Sequence, residues 1–212
     1  MFEIAGKKIA STLAEIVDPS HTALLIWDME YGIAPNAFNY QELLPKLREL
    51  STSARRAGVR VFYSVQQPFD LAKEEAGVWL RIRMKRAKVS DPNQLLNEKE
   101  DPHDQEIVAE LQPQPQDIVF HKRRPDGFIG TDLNLMLQSN GIKTLVIGGV
   151  ATEGGVEGTA RSARNLGYDV VVLKDGVGSR NRELHETALK LMEQTFFEVV
   201  SAADIGAIWI RK

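Results

Sequence analysis

The apolar positions of this chain alternate between unbroken runs and helically spaced sets. Ala23-Leu24-Leu25-Ile26-Trp27 is a continuous apolar run closed by Asp28, the pattern of a strand covered on both faces. Leu43, Leu44, Leu47, Leu50 and Ala54 then recur at helical spacing over 42–57, with Gly58 as the stop. Pro45 fits such a helix only in its first turn. Val59–Val65 predicts a second strand. From 66 to about 104 the pattern is irregular, with short helical turns expected around Trp79 to Met84. Asp117–Phe120 predicts a third strand, followed by a helix carrying Leu133, Met136 and Leu137, with Thr131 as N-cap and Asn140-Gly141 as its end. Thr144–Ile147 predicts a fourth strand, and a helix follows from about Glu153 with Val156, Ala160, Ala163 and Leu166 on one face. Asp169–Leu173 is a fifth strand, Leu184 to Met192 a helix, Phe197–Val200 a sixth strand, and a short helix closes the chain.

This alternation predicts an α/β fold: three layers, α-β-α, around a six-stranded parallel sheet, as one domain over residues 1–212. In an open parallel sheet, ligands gather beyond the C-terminal ends of the strands. Asp28, Gln66, Lys122 and the 151–155 loop follow the first four predicted strands, so the strand assignment alone brings them to one edge.

Composition narrows the chemistry. The chain has no cysteine, which removes disulfides, thiolate metal sites and thiol catalysis. A net charge of -3 argues against nucleic-acid or anionic-membrane binding. No stretch approaches the ~20 apolar residues of a membrane span, and residues 1–8 lack the apolar core of a signal peptide, so a cytoplasmic location is expected. The histidines at 21, 103, 121 and 185 have no metal-ligand spacing, and neither a metal nor another cofactor is expected.

Three segments carry a family resemblance. Val150-Ala151-Thr152-Glu153-Gly154-Gly155-Val156-Glu157-Gly158-Thr159-Ala160-Arg161 resembles the nucleophile loop of the isochorismatase-like cysteine hydrolases, Val-x-Thr-x-x-Cys-Val-x-x-Thr-Ala-Arg, with Gly155 at the cysteine position. Ala23 to Met29 resembles the motif that carries the family's general acid or base, which falls on Asp28. His121 to Leu133 is similar to Lys-x-x-x-Ser-Ala-Phe-x-x-Thr-x-Leu, which places the family lysine on Lys122 and its phenylalanine on Phe128. The motifs occur in family order and the resemblance runs from about residue 20. It implies the Rossmann-like, three-layer isochorismatase-like hydrolase fold, a small-molecule substrate, a homo-oligomer (dimer or tetramer) and a cis peptide at Val150-Ala151. It also implies catalysis by Asp28 and Lys122, with Gln66, Ala151, Gly155 and Phe128 around the substrate. The metal-binding histidines of nicotinamidase-type members have no counterpart in Gln66 to Lys73.

A glycine at the nucleophile position cannot form the covalent intermediate that an amide ordinarily requires. The isochorismatase branch shares this glycine and hydrolyses a vinyl ether, which needs an acid to protonate the enol carbon; Gln66 also matches that branch, whereas Ala151 stands where it has tyrosine. Three readings follow: a thiol-independent hydrolase with Asp28 as acid or base, an amide hydrolase using Asp28-activated water, and a non-catalytic binder of a small ligand or partner. Other chemistry-bearing residues read as structural. Arg161 pairs with Glu157 at helical spacing, His185 lies on an apolar helix face, Glu153 caps a helix, and Gln66 and Gln67 are not separable by sequence. Arg81, Arg83, Lys85, Arg86 and Lys88 form a solvated or subunit-contacting face, with the 66–104 insert as contact or lid.

Overall fold

The structure is a computed structural model that describes residues 1–67, 70–96, 101–195 and 197–210. The predicted insert therefore contains positions 68–69 and 97–100 that lie outside the described residues. An exposed antiparallel hairpin comes first, β1 (Phe2–Ile4) and β2 (Lys7–Ile9), followed by one helical turn, α1 (Leu13–Ile16). The hairpin was not foreseen. Its turn residues Ala5 and Gly6 both have positive φ, the twist that suits a two-residue hairpin.

The first long strand, β3 (Thr22–Trp27), leads to α2 (Tyr40–Arg56), β4 (Arg60–Gln66) and the insert helices α3 (Leu71–Glu74), α4 (Gly77–Ala87) and α5 (Asn93–Leu96). Next come β5 (Ile118–Lys122), α6 (Leu133–Ser139), β6 (Thr144–Val150), α7 (Glu157–Asn165), β7 (Asp169–Gly178), α8 (Arg182–Thr195), β8 (Glu198–Val200) and α9 (Ala202–Ile210). The strands from β3 onward form a six-stranded sheet in the order β5-β4-β3-β6-β7-β8, with parallel pairing throughout. The chain runs outward from β3 to β5, then crosses back to continue from β6. Strand order reverses between β3 and β6, and the crevice above that point is where such sheets bind ligands.

Period-two alternation sends the buried residues of β3 to opposite faces. Leu24 and Ile26 join Leu43, Leu47, Leu50, Ile205 and Trp209 under α2 and α9. Ala23, Leu25 and Trp27 join Leu133, Leu137, Ala160, Ala163 and Met192 under α6, α7 and α8. Three details depart from expectation. Helix α2 starts at Tyr40, so Pro45 is its sixth residue rather than part of its first turn; it faces solvent, where water can serve the carbonyl it leaves unbonded. Asp132, not Thr131, is the α6 cap position, although the Thr131 hydroxyl still accepts the Leu133 N–H at 3.1 Å. Helix α7 begins at Glu157, because Thr152–Val156 first make a wider π turn.

Candidate active site

Asp28 is the first residue past β3, and its φ of +47° turns the chain sharply out of the strand. A short polar side chain tolerates this left-handed conformation better than most. In-register pairing of Trp27 with Ser64 and of Gln66 with Lys122 then aligns three strand ends. The Asp28 N–H donates to Ser64 Oγ at 3.0 Å, and the Ser64 hydroxyl donates to Asp28 Oδ1 at 2.8 Å. Lys122 Nζ donates to Asp28 Oδ2 at 2.9 Å. The same ammonium lies 4.5 Å from the centroid of the Trp27 ring, within cation–π range. Gln66 Nε2 is 3.5 Å from Asp28 Oδ2, the long limit of a hydrogen bond. Gln67 is exposed, and its backbone N–H bonds the Lys122 carbonyl, so it is Gln66 that faces the carboxylate.

The group is nearly sealed: Asp28 is 6 % exposed and Lys122 1 %. Burial pushes the Asp28 carboxyl above the usual carboxylate range, against the pull of Lys122, Ser64 and Gln66. A second acid, Glu30, is equally buried, and its Oε1 accepts the Gln66 N–H at 2.7 Å. Burial first, then the negative charge of Asp28, push Glu30 up to about 8. Sequence reading passed over Glu30; the available signal was its place two residues beyond Asp28. Two acids and one lysine give the site a proton to hold or release near neutrality.

This shift has a testable consequence for stability. Glu30 titrates higher in the folded protein than the ordinary glutamate value of 4.5, so the folded state binds the extra proton. Its stabilising contribution is full below about 4.5 and is lost as pH rises towards about 8. Glu30→Gln keeps the shape and the acceptor for the Gln66 N–H but does not titrate. Urea unfolding of both proteins across this range should show the variant gaining on the native protein by on the order of 2–4 kcal/mol as pH rises. A difference that does not change with pH would contradict the assignment.

On the β6 side, a cis peptide joins Val150 and Ala151. The Ala151 carbonyl accepts N–H bonds from Gly154 at 3.1 Å and Val156 at 3.2 Å, which closes the π turn. Gly155, buried in that turn, faces the Trp27 ring: a Cβ on it would stand 2.0 Å from Trp27 Nε1. Asp28, Lys122 and Gln66 therefore meet at one edge of the sheet, and the 151–155 turn lies against the Trp27 ring beside them. Phe128 does not join them. Its ring stacks on Tyr168, which directly precedes β7 and so lies at the opposite end of the sheet. Phe128 packs against the core between α6 and α7, and its motif position misled because the loop before α6 turns it away from the strand ends.

The residues read as structural take definite places. Arg161 bonds Glu157 at 2.7 Å. His185 is buried, with Nδ1 2.8 Å from Thr152 Oγ1. Glu153 makes no capping bond; its Oε1 accepts the Ser179 hydroxyl at 2.7 Å instead. In the insert, Glu75 accepts from both terminal nitrogens of Arg124, at 2.9 and 3.2 Å, which ties the α3–α4 segment to the loop beyond β5. Arg83 reaches the same carboxylate at 3.6 Å, so the basic series is not uniformly solvated. Among the described residues no group of three histidine or acidic side chains is arranged to hold a metal, and no helix is long and apolar enough to cross a membrane.

Comparison with known proteins bears on this arrangement. The isochorismatase domain profile matches residues 22–204. The ureidoacrylate amidohydrolase RutB of Pantoea ananatis is 33 % identical over 204 residues, covering 88 % of this chain and 80 % of that protein. The protein of the same name from Caulobacter segnis is 32 % identical over 203 residues, covering 87 % and 84 %. Among solved structures, a cysteine hydrolase from Pseudomonas syringae pv. phaseolicola superposes with a TM-score of 0.79 at 22 % identity, covering 92 % of this chain and 95 % of the other. An isochorismatase family protein from Burkholderia thailandensis gives 0.74 at 28 % identity, covering 91 % and 97 %. With most of its length matched by the domain profile and its six-stranded sheet shared with these neighbours, the chain belongs to the isochorismatase family of hydrolases.

Proposed function

We propose that this protein hydrolyses a small substrate without a covalent intermediate, with Asp28 as the acid or base and Lys122 steadying the negative charge. The observation that carries this reading is the buried Asp28–Lys122–Ser64 array beside Gly155 in a chain that has no cysteine. A scaffold alone has no need for such a pair, because two charges taken from water are costly to hold. This reading assigns Gln66, Ala151 and Gly155 to the substrate, while Phe128 stacks on Tyr168 instead. Vinyl-ether hydrolysis suits an Asp28 that burial raises: the acid gives its proton to the enol carbon, water captures the oxocarbenium carbon, and the hemiketal releases its alcohol.

A second reading has its own support. The Pantoea and Caulobacter relatives are named amidohydrolases. Here Asp28 would take a proton from water as the water attacks an amide or ureide carbonyl, and would return it to the leaving nitrogen. The two readings separate on a panel of small enol ethers, ureides and carboxamides, assayed with native protein and with Asp28→Asn. Turnover of enol ethers alone supports the first, and turnover of ureides or amides the second. No turnover of any class, with a small carboxylate bound tightly in calorimetry, would replace both with a non-catalytic binding role.

A further inference from the structure

Two departures from the family motifs have a common physical cause. The family pattern places alanine at 127 and cysteine at 155, and this chain has glycine at both. A Cβ at 155 would meet Trp27 Nε1 at 2.0 Å, Cε2 at 2.4 Å and Cζ2 at 2.7 Å. A Cβ at 127 would meet Trp27 Cζ3 at 2.9 Å and Leu133 Cδ2 at 3.0 Å. The indole thus lies in a slot with a glycine at each end and the Lys122 ammonium over its face. Trp27 is buried, 1 % exposed, at the end of the central strand, where strand pairing on both sides fixes its backbone. Leu133 and Lys122 lie against the same slot, which limits how far the ring can yield to a new side chain.

We propose that Trp27 is a positioning residue which takes the place of the family's thiol. Its N–H edge occupies the space a residue-155 side chain needs, and its face holds the Lys122 ammonium on Asp28. Trp27, Gly127 and Gly155 are one interlocking unit, so a cysteine at 155 alone does not restore the family's nucleophile. This deepens the thiol-independent reading and rests on it for the role of Lys122. The tests below report on Trp27 whether or not a substrate is known, so the two can fail separately.

The experiment is a double-mutant cycle read by melting temperature and thiol titration. Gly155→Cys in the native background overpacks the slot and should lower the melting temperature by roughly 5–10 °C, or prevent folding. Trp27→Val empties the slot and also destabilises. In that background Gly155→Cys should cause no further loss and should recover part of the first, a strong non-additivity between touching positions. Trp27→Phe serves as the milder partner if Trp27→Val does not fold. The thiol of Trp27→Phe/Gly155→Cys, where an aromatic face still holds the Lys122 ammonium, should react with iodoacetamide on a pH profile shifted below that of an ordinary cysteine, about 8.5. In Trp27→Val/Gly155→Cys, which loses that face, the profile should move back up, a difference that a purely structural slot does not predict. Additive melting shifts, a native melting temperature in Gly155→Cys alone, or thiol profiles that do not differ between the two backgrounds would each overturn the proposal.

Discussion

Lys122→Met is expected to destabilise the fold by about 3–5 kcal/mol, the range for removing one partner of a buried ion pair. Methionine fills similar volume, so the loss is electrostatic rather than a cavity. The Lys122 side chain is fully buried, and its ammonium bonds the Asp28 carboxylate at 2.9 Å. Without it, the partners left to Asp28 among the described residues are Ser64 and the long contact from Gln66, against the burial that already raises it. The carboxyl must then be protonated to stay buried. Its folded titration point moves further above the unfolded one, so the variant's deficit should grow as pH rises from the carboxylate range through neutrality. Urea unfolding at several pH values measures this, and Asp28→Asn in the same chain should recover part of the loss. A deficit below about 1 kcal/mol, as for exposed pairs, would mean that the pair is not held as the geometry indicates.

Asp28→Asn is expected to lower turnover by ~100–10,000-fold, the usual effect of losing a general acid or base. Asparagine matches the shape, and its one side-chain oxygen can still accept from Lys122 while its amide N–H faces the Ser64 hydroxyl oxygen, but it has no acid proton to exchange. The substitution removes the carboxylate that touches the buried Lys122 ammonium, so folding must be confirmed by near-UV circular dichroism before rates are compared. With that established, a fall in kcat with little change in KM places the loss in the transition state. Unchanged turnover would end the acid–base reading. A rise in KM alone would assign Asp28 to binding.

Much of this was legible because each signal was local. β3 is an unbroken apolar run, and β6 and β7 open on similar ones, which marked them as strands buried on both sides. Asp28 and Lys122 stood at strand ends in the sequence, and the parallel topology obliges strand ends to converge. The N-terminal hairpin escaped because its short strands bury nothing and leave no one-sided pattern to read.

What the sequence alone determined was the order of the six sheet strands along the chain, their parallel arrangement, and the strand-end positions of Asp28 and Lys122. All follow from local periodicity or from motif spacing. Only the tertiary structure decided which groups touch them. Ser64 entered the group through strand register, where a shift of one residue exchanges the faces, and Glu30 through the turn of chain beyond β3. Phe128 left it because a loop, not a strand, sets its direction. The reason for glycine at 155 lies 128 positions earlier, in an indole that packing across the sheet brings to the same point. Steric exclusion acts between residues distant in sequence, and no periodicity along the chain records it.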